Sequence, residues 1–125
     1  MSGGVALLTR PILHRLMKLS DKPVMLNHIH LPAVRFKGLT GVMINEYPDT
    51  LYSLYETHYG VRIIHADERL RAGTADRQAA EALGVGVGAP LLDIERVAYT
   101  YGDKPIEWRR SRCSTAQHWY FSRLS

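Results

Sequence analysis

The chain repeats one hairpin pattern, and this repeat constrains its fold more than any other feature. Each copy has a half-apolar segment, an Asp-Lys-Pro turn and a second strand-like segment; the copies cover His14–Asn27 and Glu95–Trp108. Proline has a fixed φ and no N–H group, so it suits the start of a returning strand, and the preceding aspartate favours the turn. The sequence therefore predicts two related β-hairpins separated by a long insert.

Hydrophobic alternation sets the expected limits of these hairpins. The first has strands over Val5–Leu19, interrupted by Pro11, and over Val24–Leu31. The second has strands over Leu91–Tyr101 and Ile106–Cys113. In Val24–Leu31 both faces are partly apolar, which is typical of a strand covered on both sides or on one side plus a pocket.

The insert predicts two helices with a strand between them. Residues 32–48, rich in proline, glycine and asparagine, are expected to form a long irregular connection of the kind that is often functional. A helix with an apolar face then starts after a cap at Asp49 or Thr50 and ends at Gly60 in the left-handed conformation.

The strand of the insert is expected over Val61–Arg71. It is followed by a helix capped by Thr74, with Asp76 in its first turn, a face of small residues, and an end at Gly84. Two strands, helix, strand, helix and two strands predict an α+β fold, an antiparallel sheet of hairpins covered by helices, in a single domain over residues 1–125.

Composition narrows the class of protein. The chain has 125 residues, 46% of them hydrophobic, so it can form a core. It has no apolar run long enough to span a membrane, and its single cysteine, Cys113, forms neither an internal disulfide nor a metal motif. The net charge of +4 is accompanied by no helix-turn-helix, zinc-finger or RNP pattern. We expect a cytoplasmic protein that does not itself contact DNA and attracts anions.

Several segments in order resemble one known family. They are Leu51–Val61, Ala66–Leu70, Gly88–Arg96, Pro105–Ser111 and His118–Tyr120. Together they are similar to the effector-sensing (UTRA) domain of GntR-type bacterial transcription regulators of the HutC branch. The resemblance implies a chorismate-lyase-like fold, a dimer, and a small metabolite whose binding is transmitted to a winged helix on DNA.

The chain departs from this family at its beginning. Opening at Met1-Ser2-Gly3-Gly4, it contains no winged helix and is expected to lack most of the strand and helix that precede the first hairpin in the family. Missing strands leave an unpaired sheet edge, which tends to recruit another chain. We therefore expect a homodimer.

The resemblance also assigns ligand-binding positions. They are Arg15, Asn27, Ser53, Tyr55, Glu107 and Tyr120. In sugar-phosphate sensors of the family, an arginine stands where this chain has Met17 and a glutamate where it has Asn27. These departures favour a carboxylate or an amino-acid derivative over a sugar phosphate.

The residues alone allow a similar interpretation. Ser53 lies in the first turn of a helix, where free N–H groups attract an anion, and Arg15 could bind a carboxylate or phosphate with two hydrogen bonds. Glu107 could accept hydrogen bonds from ligand hydroxyls or amines. The alternatives are that Ser53 only caps its helix, that Arg15 pairs with a strand neighbour, and that Glu107 forms a cross-strand ion pair with Arg96.

Two other patterns carry weaker hypotheses. His28 and His30 share a strand face at a spacing that metal sites use, but no third ligand is evident in the sequence, and we expect neither a metal nor a cofactor. Arg109, Arg110 and Arg112 alternate along the last strand, with Arg110 and Arg112 on one face, and are expected to form a solvated or dimer-edge strip.

The leading hypothesis is a non-enzymatic sensor that binds a small anionic or polar metabolite and acts as a homodimer. It would contact DNA only through a winged helix outside this chain, and no membrane. The alternatives are a dimerisation module without a ligand and an enzyme of the chorismate-lyase-like fold, for which no nucleophile with an adjacent base or metal triad is evident.

Overall fold

A computed structural model of the chain describes residues 12–121 and residue 123. The strands are β1 (Ile12–Leu19), β2 (Lys22–His30), β3 (His65–Thr74), β4 (Pro90–Thr100) and β5 (Lys104–Cys113). The helices are α1 (Gly41–Glu46), α2 (Leu51–Tyr59) and α3 (Arg77–Leu83), and a 3₁₀ turn, Tyr101–Asp103, joins β4 to β5. The strands form one antiparallel sheet in the order β1-β2-β5-β4-β3. The predicted α+β fold is confirmed.

Both predicted hairpins are present and share one irregularity. In β1–β2 the pairing register shifts between Met17 and Lys18, next to the pair that Lys18 makes with Pro23. In β4–β5 it shifts between Ala98 and Tyr99, next to the pair that Tyr99 makes with Pro105. Proline cannot donate to a ladder and is tolerated at bulges. The repeated Asp-Lys-Pro pattern thus encodes a turn and a bulge in each hairpin.

Helix α2 covers one face of the sheet, called the α2 face below. It has the predicted ends: Thr50 accepts a hydrogen bond from the Ser53 N–H at 3.1 Å, and Gly60 adopts φ 63°, in the left-handed region. Beneath it lies an apolar cluster of buried residues: Ile29, Leu31, Phe36, Leu39, Leu51, Leu54, Tyr55, Val61 and Ile106. This cluster holds α2 above the central strands β2 and β5.

Helix α3 covers part of the opposite face, called the α3 face. Its small residues Ala79 and Ala80 pack with Leu26 and Leu91 of the sheet, as the face of small side chains predicts. The only charged side chain of β5 that is almost fully buried on this face is Arg112, 3% exposed, which donates to both oxygens of Asp76 at 3.1 Å. The expected solvated arginine strip is therefore wrong at Arg112, and it is also wrong at Arg109, which is buried against Glu107 on the other face.

Three local predictions need correction. Residues 32–48 are not wholly irregular, because Thr40 caps the short helix α1 by accepting from the Met43 N–H at 3.2 Å. Thr74 ends β3, and Asp76 is the cap of α3, accepting from the Ala79 N–H at 2.9 Å. Strand β3 begins at His65, since residues 61–64 lead from α2 into the sheet.

The part of the first predicted strand from Val5 to Pro11 lies outside the described residues. In the described part of the chain, no helix is long and apolar enough to span a membrane.

We predict that Asp76 makes the stability of the protein depend on pH. The Ala79 N–H and the Arg112 guanidinium lower the pKa of Asp76 below its ordinary value. A carboxylate with a lowered folded-state pKa stabilises the protein above its unfolded pKa, and this contribution is lost as the pH falls through the folded one. Asp76→Asn keeps a capping oxygen without the charge, so it should be less stable than wild type at pH 7, and the gap should narrow between about pH 5 and pH 3.

Urea unfolding at pH 7 and at pH 3 measures the difference in the free energy of unfolding between wild type and Asp76→Asn. Glu81→Gln, an exposed position on α3, is the control and should match wild type at each pH. A gap between wild type and Asp76→Asn that stays constant down to pH 3 would contradict the assignment.

Candidate functional site

A fully buried carboxylate lies at the centre of the α2 face. Glu107, 0% exposed on β5, accepts a hydrogen bond from the Tyr55 hydroxyl at 2.6 Å and from Arg109 Nη2 at 2.8 Å. The Tyr52 hydroxyl lies 3.5 Å from its other oxygen. Three donors from α2 and β5 therefore converge on one ionisable group, which is the arrangement that a buried charge requires.

The same contacts shift the titration of the donors. Burial and the negative charge of Glu107 raise the pKa of Tyr55, so its hydroxyl stays protonated and can donate. Burial alone would lower the pKa of Arg109, but Glu107 raises it above the ordinary value. Glu107 and Arg109 form an ion pair of 2.8 Å under α2.

A second polar group lies beside this pair on strands β1, β2 and β5. Arg15, Asn27 and Ser111 are aligned by the strand register. With its amide oxygen facing Arg15, Asn27 accepts from Arg15 Nε and Nη2, both at 3.1 Å, and donates to the Ser111 hydroxyl at 2.7 Å. We call the set Arg15, Asn27, Tyr55, Glu107, Arg109 and Ser111 the polar site.

Charge is not balanced within the polar site. Burial and the positive charge of Arg109 lower the pKa of Arg15, and the field of Glu107 opposes them. Arg109 is paired with Glu107, whereas Arg15 has no carboxylate partner among residues 12–121 and 123. The Nε of Arg109 is also buried without a hydrogen-bond partner in this part of the chain. The polar site therefore contains two guanidinium groups and one carboxylate.

A chain of hydrogen bonds extends the polar site to the C-terminal segment. Arg96 donates to the Tyr52 hydroxyl at 3.2 Å and, through Nε and Nη2, to Glu68 at 2.6 Å. The Tyr120 hydroxyl donates to the other oxygen of Glu68 at 3.4 Å. The expected Arg96–Glu107 pair is wrong, because Ala98 lies opposite Glu107 in the register and Arg96 pairs with Glu68 on β3.

Ser53, a predicted site residue, makes its described contacts outside the polar site. Its N–H is bonded to Thr50, and its hydroxyl lies 3.2 Å from the Tyr47 hydroxyl. Its helix turn is thus capped from within the chain. The structure brings Arg15, Asn27, Tyr55 and Glu107 together, and links Tyr120 to them through Glu68 and Arg96.

Sequence reasoning missed several members of this arrangement. They are Tyr52, Glu68, Arg96, Arg109 and Ser111. Arg109 and Ser111 have the same strand parity as Glu107, so the alternation of β5 could have identified them. Glu68 and Arg96 could not be paired without the register between β3 and β4.

The two histidines of β2 lie on the α3 face, away from the polar site. His28 stacks on His14 with ring centroids 4.5 Å apart and contacts Arg112 Nη2 at 3.2 Å. Burial, the nearby His14 ring and Arg112 lower the pKa of His28 to about 4. Within the described ranges, no three His, Cys, Asp or Glu residues are arranged to hold a metal ion.

Known proteins resemble this chain in sequence. The model of the UTRA domain family matches residues 12–118. The HTH-type transcriptional regulator Rv0792c of Mycobacterium tuberculosis is 31% identical over 96 residues, which are 76% of this chain and 36% of that protein. The probable fructoselysine utilization operon transcriptional repressor of Escherichia coli K12 is 23% identical over 74% of this chain and 37% of its own length. The chain thus spans a little over a third of these curated relatives.

Solved structures share the fold. The ligand-binding domain assigned to a GntR-family transcriptional regulator of Bordetella bronchiseptica superposes with a TM-score of 0.83 at 37% identity, over 91% of this chain and 72% of that one. The effector domain of PhnF from Mycobacterium smegmatis has a TM-score of 0.73 at 23% identity, over 91% and 68%, and shows likeness of fold alone.

Proposed function

Because the chain belongs to the UTRA domain family, the effector-binding domains of GntR-family transcription regulators, we propose that its polar site binds a small anionic metabolite. The observation that carries the proposal is that the Arg15 guanidinium has no carboxylate partner in the described part of the chain and lies beside a buried Arg109 whose Nε has no described partner. Two guanidinium groups and one buried carboxylate suit a ligand with one anionic group and a hydrogen-bond donor.

In this proposal each residue has a separate part. Arg15 binds the anion, and Asn27 holds the Arg15 guanidinium in place through two hydrogen bonds of 3.1 Å. Glu107 fixes Arg109, with Tyr55 holding the carboxylate from above. Tyr120 and Ser53 stay candidate ligand contacts, the first at the C-terminal side of the sheet and the second on α2.

The whole regulator is proposed to work as a non-enzymatic cytoplasmic homodimer. Both edge strands support a dimer: β3 is exposed along most of its length, and β1 exposes Leu16, Met17 and Leu19. DNA would be contacted by a separate winged-helix domain. Effector binding can shift such a regulator only if the effector has different affinities for its two states.

We expect a thermal-stability screen to identify the effector class. Sugar phosphates, carboxylates and amino-acid catabolites would be tested on the chain, and a ligand at one hundred times its dissociation constant should add about 2.7 kcal/mol to the free energy of unfolding. Arg15→Ala should weaken binding by roughly 10- to 150-fold, the effect of losing a hydrogen bond to a charged group.

The matched control is Arg77→Ala, an exposed arginine on the opposite face of the sheet, which should leave the dissociation constant unchanged. Equal weakening by both variants would show that only net charge matters, and would contradict a specific site. A flat screen with an intact dimer would instead support the module that only dimerises.

A further inference from the structure

We propose that the effector is a monocarboxylate with an apolar tail, and that the tail occupies a pocket under the C-terminal segment. This inference rests on the proposed function, since it places the anionic group at Arg15. The pocket lies where β1 and β5 end and β2 begins. Its walls include the apolar residues Leu19, Val24 and Met25, together with Cys113, Trp119 and Tyr120 and the polar residues Ser114, Thr115 and His118.

The pocket has the size and chemistry for a small apolar group. Its volume is about 120 Å³. A cavity of ~150 Å³ lined by aliphatic side chains binds benzene, so this pocket fits a short alkyl chain or a single small ring. Burial raises the pKa of the Cys113 thiol to about 11, so the wall presents an uncharged thiol next to the thioether of Met25.

The strand register connects the pocket to Arg15. Arg15, Asn27 and Ser111 form one row across the α2 face, and the next row on the same face is formed by Met17, Met25 and Cys113. Two residues along a strand span about 7 Å. A ligand whose carboxylate binds Arg15 therefore reaches Met25 and Cys113 with its first few carbon atoms.

The polarity of the two rows indicates the kind of ligand. The Met17, Met25 and Cys113 row continues to Leu92 on β4 and offers no charged or amide side chain to the hydroxyl groups of a sugar. The single positive charge of Arg15, which no described carboxylate neutralises, balances one carboxylate, whereas a phosphate ester carries about −1.5 to −2 charges at pH 7. A monocarboxylate with an apolar tail matches both the charge of the first row and the composition of the second.

Calorimetric titration with n-alkyl carboxylates, from acetate to decanoate, tests the inference. We expect the dissociation constant to fall about fourfold with each added methylene until the pocket is filled, and then to level off. Hexylamine, with the same tail but the opposite charge, should not bind, and hexyl phosphate should bind more weakly than heptanoate. Met25→Gln should flatten the dependence on chain length, because it should weaken the binding of octanoate more than that of acetate.

Val87→Gln, at an exposed apolar position away from the sheet, is the control for Met25→Gln. Cys113→Ser provides a second, nearly isosteric probe of the pocket if Met25→Gln does not fold. The apolar tail would be refuted if polar anions such as glucose 6-phosphate bind while octanoate binds no better than acetate, a result that leaves the proposed function intact. Equal binding of hexylamine would also refute it, and failure of every anion to bind would refute both proposals.

Discussion

Glu107→Ala is expected to lower the free energy of unfolding by about 3–5 kcal/mol, the usual effect of removing one partner of a buried ion pair. The variant would leave the buried guanidinium of Arg109 without its carboxylate and the Tyr55 hydroxyl without its acceptor. Unfolding in urea, followed by circular dichroism, measures the loss.

Two further variants separate the charge from the hydrogen bonds. Glu107→Gln keeps an oxygen acceptor for Tyr55 but removes the charge, so it should lose less stability than Glu107→Ala. Glu95→Gln breaks an ion pair with the exposed Arg69 and should cost no more than about 1 kcal/mol. If Glu107→Ala were as mild as Glu95→Gln, the buried pair would not be important for stability.

The second large effect is expected from Ile29→Ala, which should lower the free energy of unfolding by about 2–5 kcal/mol. Ile29 is fully buried in the cluster under α2 and lies opposite Arg109 in the β2–β5 register. Truncation removes apolar contacts and leaves a cavity between the helix and the sheet.

The same urea measurement applies, and the slope of the transition should stay unchanged if only stability is affected. Val42→Ala, at an exposed position on α1, is the matched control and should change stability by less than about 0.5 kcal/mol. If Ile29→Ala lowered the free energy of unfolding by less than 1 kcal/mol, the packing of α2 on the sheet would not depend on this side chain.

Local signals explain why much of the fold could be predicted. The turn residues, with Pro23 and Pro105, mark both hairpins, and Thr50 and Gly60 mark the two ends of α2. Each of these signals acts through backbone conformation or a nearby hydrogen bond, so it can be read without knowing the rest of the structure.

The partners of charged residues could not be predicted in the same way. The sequence predicts that Glu107 either contacts a ligand or pairs with Arg96, but in the structure its ion-pair partner is Arg109 on the same strand. Arg96 reaches Glu68 on β3 instead. These choices depend on the bulge in β4–β5 and on the β3–β4 register, which no local pattern specifies.

The choice of cap on α3 shows a related effect. Thr74 and Asp76 are both good capping residues, so local preference alone does not decide between them. In the fold, Asp76 also binds Arg112 from β5, a residue far away in sequence. A long-range ion pair therefore helps to decide where a local element begins.

Strand β5 carries buried charge on both of its faces, with Glu107 and Arg109 under α2 and Arg112 beside α3. Most strands are held in register by one apolar face. In β5, by contrast, buried polar side chains alternate between the α2 face and the α3 face. A slip of one residue would turn Arg112 towards the thiol and thioether side of the sheet and Glu107 away from Tyr55. Glu107 would then lose the Tyr55 hydroxyl and Arg112 would lose Asp76, although Glu107 and Arg109 would move together because they lie on the same strand. Such a slip would leave buried polar groups without partners, so it is disfavoured. The polar residues at the centre of this protein thus specify a single alignment of its strands, in addition to any ligand they bind.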